Sequence, residues 1–272
     1  MRTTTAKRIL GGVAAAALCG AAGAQTITVD GSTTVGPIAK AFAEYYMKAN
    51  PGVNITVSES GSGNGAKSLI NGTCDVATMS RPMKDSEKKS AEGAGKLPIE
   101  HIVALDGLAV AVHPSNPVKG LTVEQVRGIY TGQITSWKAL GGPDRKIVVV
   151  SRDTNSGTYE AFESLVLNKM KIVGSAEYVG SNGAVRDRVM NTPDAIGYVG
   201  LAFSEGVKAL PINGVEPSPE TVVAKTYPVA RPLYMYTNGR PKDGTALQGF
   251  VSLYKTADGK QMIEDVGYIP AK

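Results

Sequence analysis

Residues 146–170 read KIVVVSRDTNSGTYEAFESLVLNKM. The stretch opens on an apolar run of strand character and closes on a segment with helical spacing. Between them, residues 151–158 crowd an arginine, an aspartate, an asparagine, a glycine and small hydroxyl residues into one junction. A strand running through such a junction into a helix is the building unit of an α/β fold. Three readings of the junction stand open. It could hold a serine nucleophile, cradle an anion, or be a solvated loop that caps a helix.

The same unit recurs on both sides. TITVD (26–30) reads as a strand that runs through GSTTVGP into a helix, PIAKAFAEYYMKAN. Pro37 suits the first helical position, and Ile38, Phe42 and Tyr45 share one face. VNITVSES (53–60) alternates as a strand, breaks at GSGNG and passes into a short helix, AKSLING. CDVATMS is a further strand ending at Ser80-Arg81-Pro82, followed by a charged helix, DSEKKSAEGA, and an apolar strand, LDGLAVAVHP (105–114). In TVEQVRGIY (122–130), Thr122 and Gln125 can form a capping box. VRDRVMNT reads as a helix and AIGYVGLAF as a strand. TYPVARPLYMYTNG (226–239) reads as an extended segment broken by Pro228 and Pro232, and ALQGFVSLYKTADGKQMIEDVG as two closing helices. Strands alternating with helices predict α/β layers about a largely parallel sheet.

Three strand-to-helix junctions share one composition: Gly31-Ser32-Thr33-Thr34-Val35-Gly36, Gly61-Ser62-Gly63-Asn64-Gly65, and Arg152 to Thr158. Helix N-termini present unsatisfied N–H groups and partial positive charge, glycine lets a ligand approach the backbone, and Ser and Thr add short donors. At the carboxyl ends of strands, such junctions face a common crevice and suit an anion. Arg81 and Arg152 add guanidinium groups matched to phosphate-like oxyanions. Against this, Ser, Thr, Asn and Gly are favoured N-caps of any helix, and either arginine could serve a structural ion pair.

Composition narrows the classes. The first 24 of 272 residues carry Arg2, Lys7 and Arg8, an apolar stretch too short to span a membrane, and a small-x-small site at Ala22-Gly23-Ala24. This is the layout of a signal peptide cleaved after Ala24, and it predicts a secreted, periplasmic protein. Leu18 stands before Cys19 where a lipoprotein signal wants a small residue. The formal charge of +5 includes three cations from this segment and no acidic residue, leaving +2 for the remainder. That is too mild to predict nucleic acid or an anionic membrane as partner. Cys74 is then the single cysteine, which excludes an internal disulfide, and with only His101 and His113 a zinc or iron site is not expected. GSGNGAKS (61–68) approaches a nucleotide phosphate loop, but Ala66 replaces its second glycine. Asn155-Ser156-Gly157 lacks the glycine two residues before the serine that a nucleophile elbow needs.

Taken in order, DGSTTVGPI (30–38), GSGNGAKSLINGTCDVATMSR (61–81), LTVEQVRGIYTGQITSW (121–137), SRDTNSGTYEAF (151–162) and AIGYVGL (195–201) resemble the periplasmic phosphate-binding proteins of phosphate ABC transporters, among the type II periplasmic binding proteins. The resemblance spans essentially the whole chain after the signal. It implies a two-lobed α/β fold with the ligand cleft between the lobes. Lobe I would comprise residues 25–108 with 230–272 returning to it, and lobe II residues 109–229. It implies phosphate bound by Thr33, Thr34, Ser62, Ser80, Arg81, Asp106, Arg152, Ser156, Gly157 and Thr158, with Thr33, Ser62 and Arg81 supplying one lobe's share and Arg152 with Ser156 to Thr158 the other's. Ser80 stands where well-studied members carry a carboxylate that accepts the phosphate proton. The resemblance therefore leaves that acceptor to Asp106 or Asp153, with Asp106 favoured by the D-G-x-A-V pattern. The implied protein is a monomer, not an enzyme, and needs no cofactor. It captures inorganic phosphate and delivers it to the membrane permease of an ABC importer. Sulfate, arsenate or another tetrahedral oxyanion is the alternative cargo, and a secreted phosphatase or a signalling module without a transporter the more distant rivals.

Overall fold

Gly31 closes the first strand with φ at +134°, and a Cβ there would meet the Thr78 carbonyl oxygen at 2.2 Å. Only glycine lets the first strand lie this close to its neighbour while turning into a helix. The computed structural model describes residues 25–272, so the signal segment, Cys19 and the cleavage site lie outside the described residues. The first half of the chain runs β1 (Gln25–Gly31), α1 (Gly36–Ala49), β2 (Val53–Ser58), α2 (Ser62–Asn71), β3 (Val76–Met79) and α3 (Asp85–Gly93) into the long β4 (Pro98–Val112). The second runs α4 (Val123–Tyr130), β5 (Val148–Arg152), α5 (Gly157–Leu165), β6 (Glu177–Val179), α6 (Asn182–Met190), β7 (Ala195–Gly200), β8 (Lys208–Leu210) and α7 (Pro219–Val223). The chain then returns through β9 (Ala230–Asn238) to α8 (Ala246–Ser252), α9 (Ala257–Asp265) and β10 (Ile269–Pro270).

The strands form one curled sheet in the order β2-β1-β3-β9-β4-β7-β5-β6. Its two wings are parallel, β1 with β2 and β3, and β5 with β6 and β7. Its middle is antiparallel, where β9 pairs with β3 and β4, and β4 pairs with β7 and β8. The expected largely parallel sheet is therefore a mixed one. Apolar patterning marks a strand but not its direction, and β4 and β9 run through both wings instead of belonging to a strand-helix-strand crossover.

β4 serves two hydrophobic cores. Val103 and Ala104 pack in the first with Val29, Ile38, Phe42, Leu233, Met235, Phe250 and Ile263. Leu108, Val110 and Val112 pack in the second with Tyr130, Trp137, Phe162 and Tyr198. The strand starts at Pro98, seven residues before the apolar run, because residues 98–102 are half-buried or exposed and show no hydrophobic pattern.

Helix starts also differ from the pattern. α2 begins at Ser62 and α5 at Gly157, so each hydroxyl-rich junction forms a first helical turn. Apolar spacing begins one turn late because that turn faces a polar cleft. α5 ends at Leu165, short of residue 170, and Asn168 and Lys169 leave the helix with φ of +49° and +63°. The capping box of Thr122 and Gln125 forms as expected. Short elements such as β6, β8, β10 and α7 offer too few residues for periodicity to register.

α5 is anchored by Phe162, whose ring stacks on Tyr198 at 3.9 Å and meets Tyr130 edge-on at 4.7 Å. Phe162→Ala should lower unfolding free energy by about 3–5 kcal/mol, the usual cost of emptying a fully buried aromatic site. Denaturant unfolding checks this.

Candidate anion-binding site

The junctions converge at the middle of the sheet, and their hydroxyls differ in what they do. Ser156 caps α5, its Oγ accepting from the Thr158 and Tyr159 amides at 3.2 Å each. The other two junctions are not side-chain caps. α1 begins after Val35 and α2 after Gly61, neither with a capping side chain. Ser32 Oγ accepts from Thr34 N at 3.1 Å, inside its own turn. Ser62 Oγ accepts from Ser80 N at 3.1 Å, tying α2 to the end of β3. Among the described residues, the amides of Thr33, Ser62 and Gly157 donate to no protein acceptor, as expected of helix-start N–H groups.

The walls meet directly. Thr34 and Thr158 share a hydroxyl hydrogen bond of 2.9 Å, and Gly63 N donates to Asn155 O at 3.0 Å. Arg152 Nη2 lies 3.3 Å from Thr33 Oγ1. Thr33, Thr34, Ser62, Ser80, Asp106, Arg152, Ser156 and Thr158 are all buried. The cleft is closed.

Arg152 is the charge at its centre. Its side chain is fixed from behind by carbonyls, Nε donating to Val179 O at 3.2 Å and Nη2 to Gly180 O at 2.8 Å. Its backbone N–H donates to the Tyr198 hydroxyl, which also bonds Ser151 Oγ at 2.9 Å. The residue is 1 % exposed, no carboxylate among the described residues is within salt-bridge distance, and Nη1 is buried without a partner. Burial, helped by the Arg231 cation, pulls the guanidinium down to about 10 from the ordinary arginine range, which still leaves it fully charged at neutral pH. Asp153 does not pair with it. Its Oδ1 accepts from Asn155 N at 2.9 Å and shapes the turn.

Two further polar groups reach the same point. Arg231, on β9, bonds Asp106 of β4 at 3.1 Å and 3.3 Å, Thr158 Oγ1 at 3.0 Å and Ser80 O at 3.0 Å. Asp106 also accepts from Leu201 N at 3.1 Å, and burial pushes its carboxyl up against the pull of Arg231. Asn182, fully buried at the start of α6, accepts from Gly200 N and donates to Thr34 Oγ1 at 2.9 Å. Neither was singled out from the sequence, yet both left a trace there. Gly180-Ser181-Asn182-Gly183 is a fourth junction of the same composition, and Arg231 is a lone charge in an apolar extended run.

Arg81 departs from expectation. Glu87 takes its guanidinium through two bonds of 2.7 Å, and Glu160 Oε2 lies 2.5 Å from Nε, off the N–H axis. Its terminal nitrogens are taken up by Glu87 and its Nε faces Glu160, so the structure does not bring it into the cradle. The arrangement as a whole holds one unbalanced buried cation, free helix-start amides and a ring of hydroxyls, which suits a small oxyanion bearing more than one acceptor oxygen. Among the described residues no cluster of metal-ligating side chains occurs, and no helix is long and apolar enough to cross a membrane.

Comparisons with known proteins converge on one family. The domain described as the PBP superfamily domain matches residues 19–254. The phosphate-binding protein PstS of Borreliella burgdorferi is 32% identical over 260 residues, 91% of this chain and 91% of that protein. PstS of Bacillus subtilis is 32% identical over 249 residues, 90% of this chain and 80% of that protein. A Clostridium perfringens protein assigned as a phosphate ABC transporter substrate-binding protein, solved with bound phosphate, superposes with a TM-score of 0.84 at 34% identity, covering 91% of this chain and all of that one.

Gly157 is the gauge of closure, because a Cβ there would meet Ser62 Oγ at 2.3 Å and Ser80 Oγ at 2.7 Å across the cleft. Gly157→Ala should keep its helix and weaken oxyanion binding about tenfold to a hundredfold, the range of 1–3 kcal/mol for overpacking. Calorimetric titration of the variant beside the wild type checks this.

Proposed function

The chain belongs to the PBP superfamily, and we propose that it captures inorganic phosphate and presents it to the permease of an ABC-type importer. The observation that carries this reading is Arg152, a buried guanidinium with a free Nη1 and no carboxylate partner. Burying such a charge alone is costly, and a bound oxyanion removes the cost. The phosphate-bound Clostridium relative supports phosphate as that oxyanion.

In this reading the fold is that of a type II periplasmic binding protein, with residues 25–108 and 230–272 as lobe I and 109–229 as lobe II. The two separate hydrophobic cores support that division. Phosphate is gripped from both lobes. Thr33, Thr34, Ser62 and Ser80 contribute hydroxyls and helix-start amides from one side. Arg152, Ser156, Gly157 and Thr158 contribute from the other, with Arg231 and Asn182 completing the ring. The ligand favours closure by the difference between its affinities for closed and open forms, and the cross-cleft contacts form together with it.

Asp106 is the proposed proton acceptor. Arg231 and Leu201 N occupy part of its acceptor capacity, and a carboxylate has lone pairs to spare for one more donor. A protonated phosphate can donate there, whereas sulfate cannot and is repelled. Hydrolysis is disfavoured because Ser156 Oγ is committed as a helix cap, while His101 and His113 bond Thr237 and Ser115. Residues 1–24 fit export to the periplasm, where such a carrier meets its permease.

Calorimetry of wild-type protein should show phosphate binding and little with sulfate; absence of heat with phosphate sinks the reading. Arg152→Ala should weaken binding by about a hundredfold or more, as loss of a charged partner in a desolvated site does. Phosphate at about 100 times its dissociation constant should raise unfolding free energy by about 2.7 kcal/mol. Asp106→Asn should narrow the phosphate-to-sulfate ratio. Acidification should act in the same direction. The folded carboxyl is raised, so its acceptor form is lost as pH falls, starting above the ordinary carboxylate range near about 4. Competition titrations at about pH 8 and about pH 5 read that change.

A further inference from the structure

A second set of charges closes over the cleft without touching its centre. Arg81 is fixed on the lobe I side, where Glu87 grips both terminal nitrogens at 2.7 Å and Pro82 O accepts from Nη1 at 2.9 Å. Glu87 also accepts from Lys84 N at 2.8 Å, so the same carboxylate caps α3 and orients the arginine. From the lobe II side comes Glu160, on the first turn of α5. Its Oε2 lies 2.5 Å from Arg81 Nε and 3.0 Å from Lys84 Nζ. The side chains of Arg81 and Glu160 are 6 % and 13 % exposed, that of Lys84 51 %. A groove of about 660 Å³ runs along this seam, lined by Arg81, Lys84, Glu160, Leu165, Arg231 and Tyr234.

We infer that Arg81, Lys84 and Glu160 form a charge latch that holds the lobes shut and sets how long the bound anion stays. Glu160 follows Gly157 by three residues on one rigid helix, so the movement that seats the α5 N-terminus on the anion also seats Glu160 on Arg81. When the lobes part, Arg81 keeps Glu87, and Glu160 returns to water. The Arg81–Glu160 contact thus exists only in the closed form, which is the condition for shifting the equilibrium. Lys84 adds little because it is half exposed, while the buried arginine contact carries most of the effect. The latch slows opening and therefore acts on release, with little effect on capture. The latch residues Arg81, Lys84 and Glu160 are neutral only together with Glu87, and that four-residue cluster adds no net charge to the entrance. These are positioning residues, distinct from those that touch the anion.

The inference rests on phosphate as cargo, and its test separates the two. Stopped-flow release of phosphate is measured for wild type, Glu160→Gln and Glu163→Gln, the last removing a charge from the same helix outside the latch. Release from Glu160→Gln should be about tenfold faster, with capture nearly unchanged, and added salt should speed wild-type release more than that of the variant. Glu163→Gln should behave as wild type. Equal release from wild type and Glu160→Gln overturns the latch, as does equal acceleration by Glu163→Gln. If wild type binds no phosphate, the cargo reading fails, and small-angle scattering decides the latch alone. A wild-type protein more compact than Glu160→Gln then upholds it, and equal radii of gyration overturn it.

Discussion

The guanidinium of Arg152 is the charge around which the cleft is organised. It sits 1 % exposed, with no carboxylate in salt-bridge distance and one terminal nitrogen unbonded. Its position is held from behind by Val179 O and Gly180 O, so it cannot swing to water without breaking two contacts, and the Tyr198 hydroxyl holds the backbone N–H of the same residue. Tyr198 in turn is clamped by Phe162, which anchors the helix whose first turn faces the cleft. The aromatic core of lobe II, the α5 helix and the charge are therefore one mechanical unit. Arg231 makes the contrast plain. It is buried as deeply in purpose but carries its own counter-ion, Asp106, and it spans the crossing strands and the ring of hydroxyls. One arginine is balanced by the protein, and the other has no carboxylate partner among the described residues.

Much of this was legible in the chain, and the gaps have physical reasons. Alternating strand and helix patterns gave the α/β class, since apolar periodicity follows directly from one-sided burial. Hydroxyl and glycine junctions pointed to an anion because their donors suit one, and the structure distinguishes their uses: Ser156 does cap its helix, whereas Ser32 and Ser62 do not. Strand direction was not legible, because an apolar run reads the same either way along β4 and β9. Arg231 and Asn182 escaped notice because their meaning depends on contacts with residues 125 and 148 positions away. Arg81 misled for a local reason. Its neighbours in sequence suggested an anion, but a carboxylate six residues on had already claimed it.

The hydroxyls and amides of the cleft suit any tetrahedral oxyanion, because they ask only for acceptors. Asp106, at the crossing of β4 and β9, differs in kind, because a carboxylate can accept from a group that carries a proton. Burial pushes that carboxyl above its ordinary range, and Arg231 pulls the other way.

The path of the chain through β4 has a consequence for how the protein is made. The second core draws its buried members from a continuous stretch, Leu108 to Val229, whereas the first needs Leu233, Met235, Phe250 and Ile263 from the end of the chain. The second core has its buried members in place while the last segment is still to come, but the first stays incomplete until that segment arrives. Half of the molecule is thus obliged to fold late, through contacts distant in sequence and hence slow to form. A chain built this way cannot lock into its final shape before its last residues have emerged.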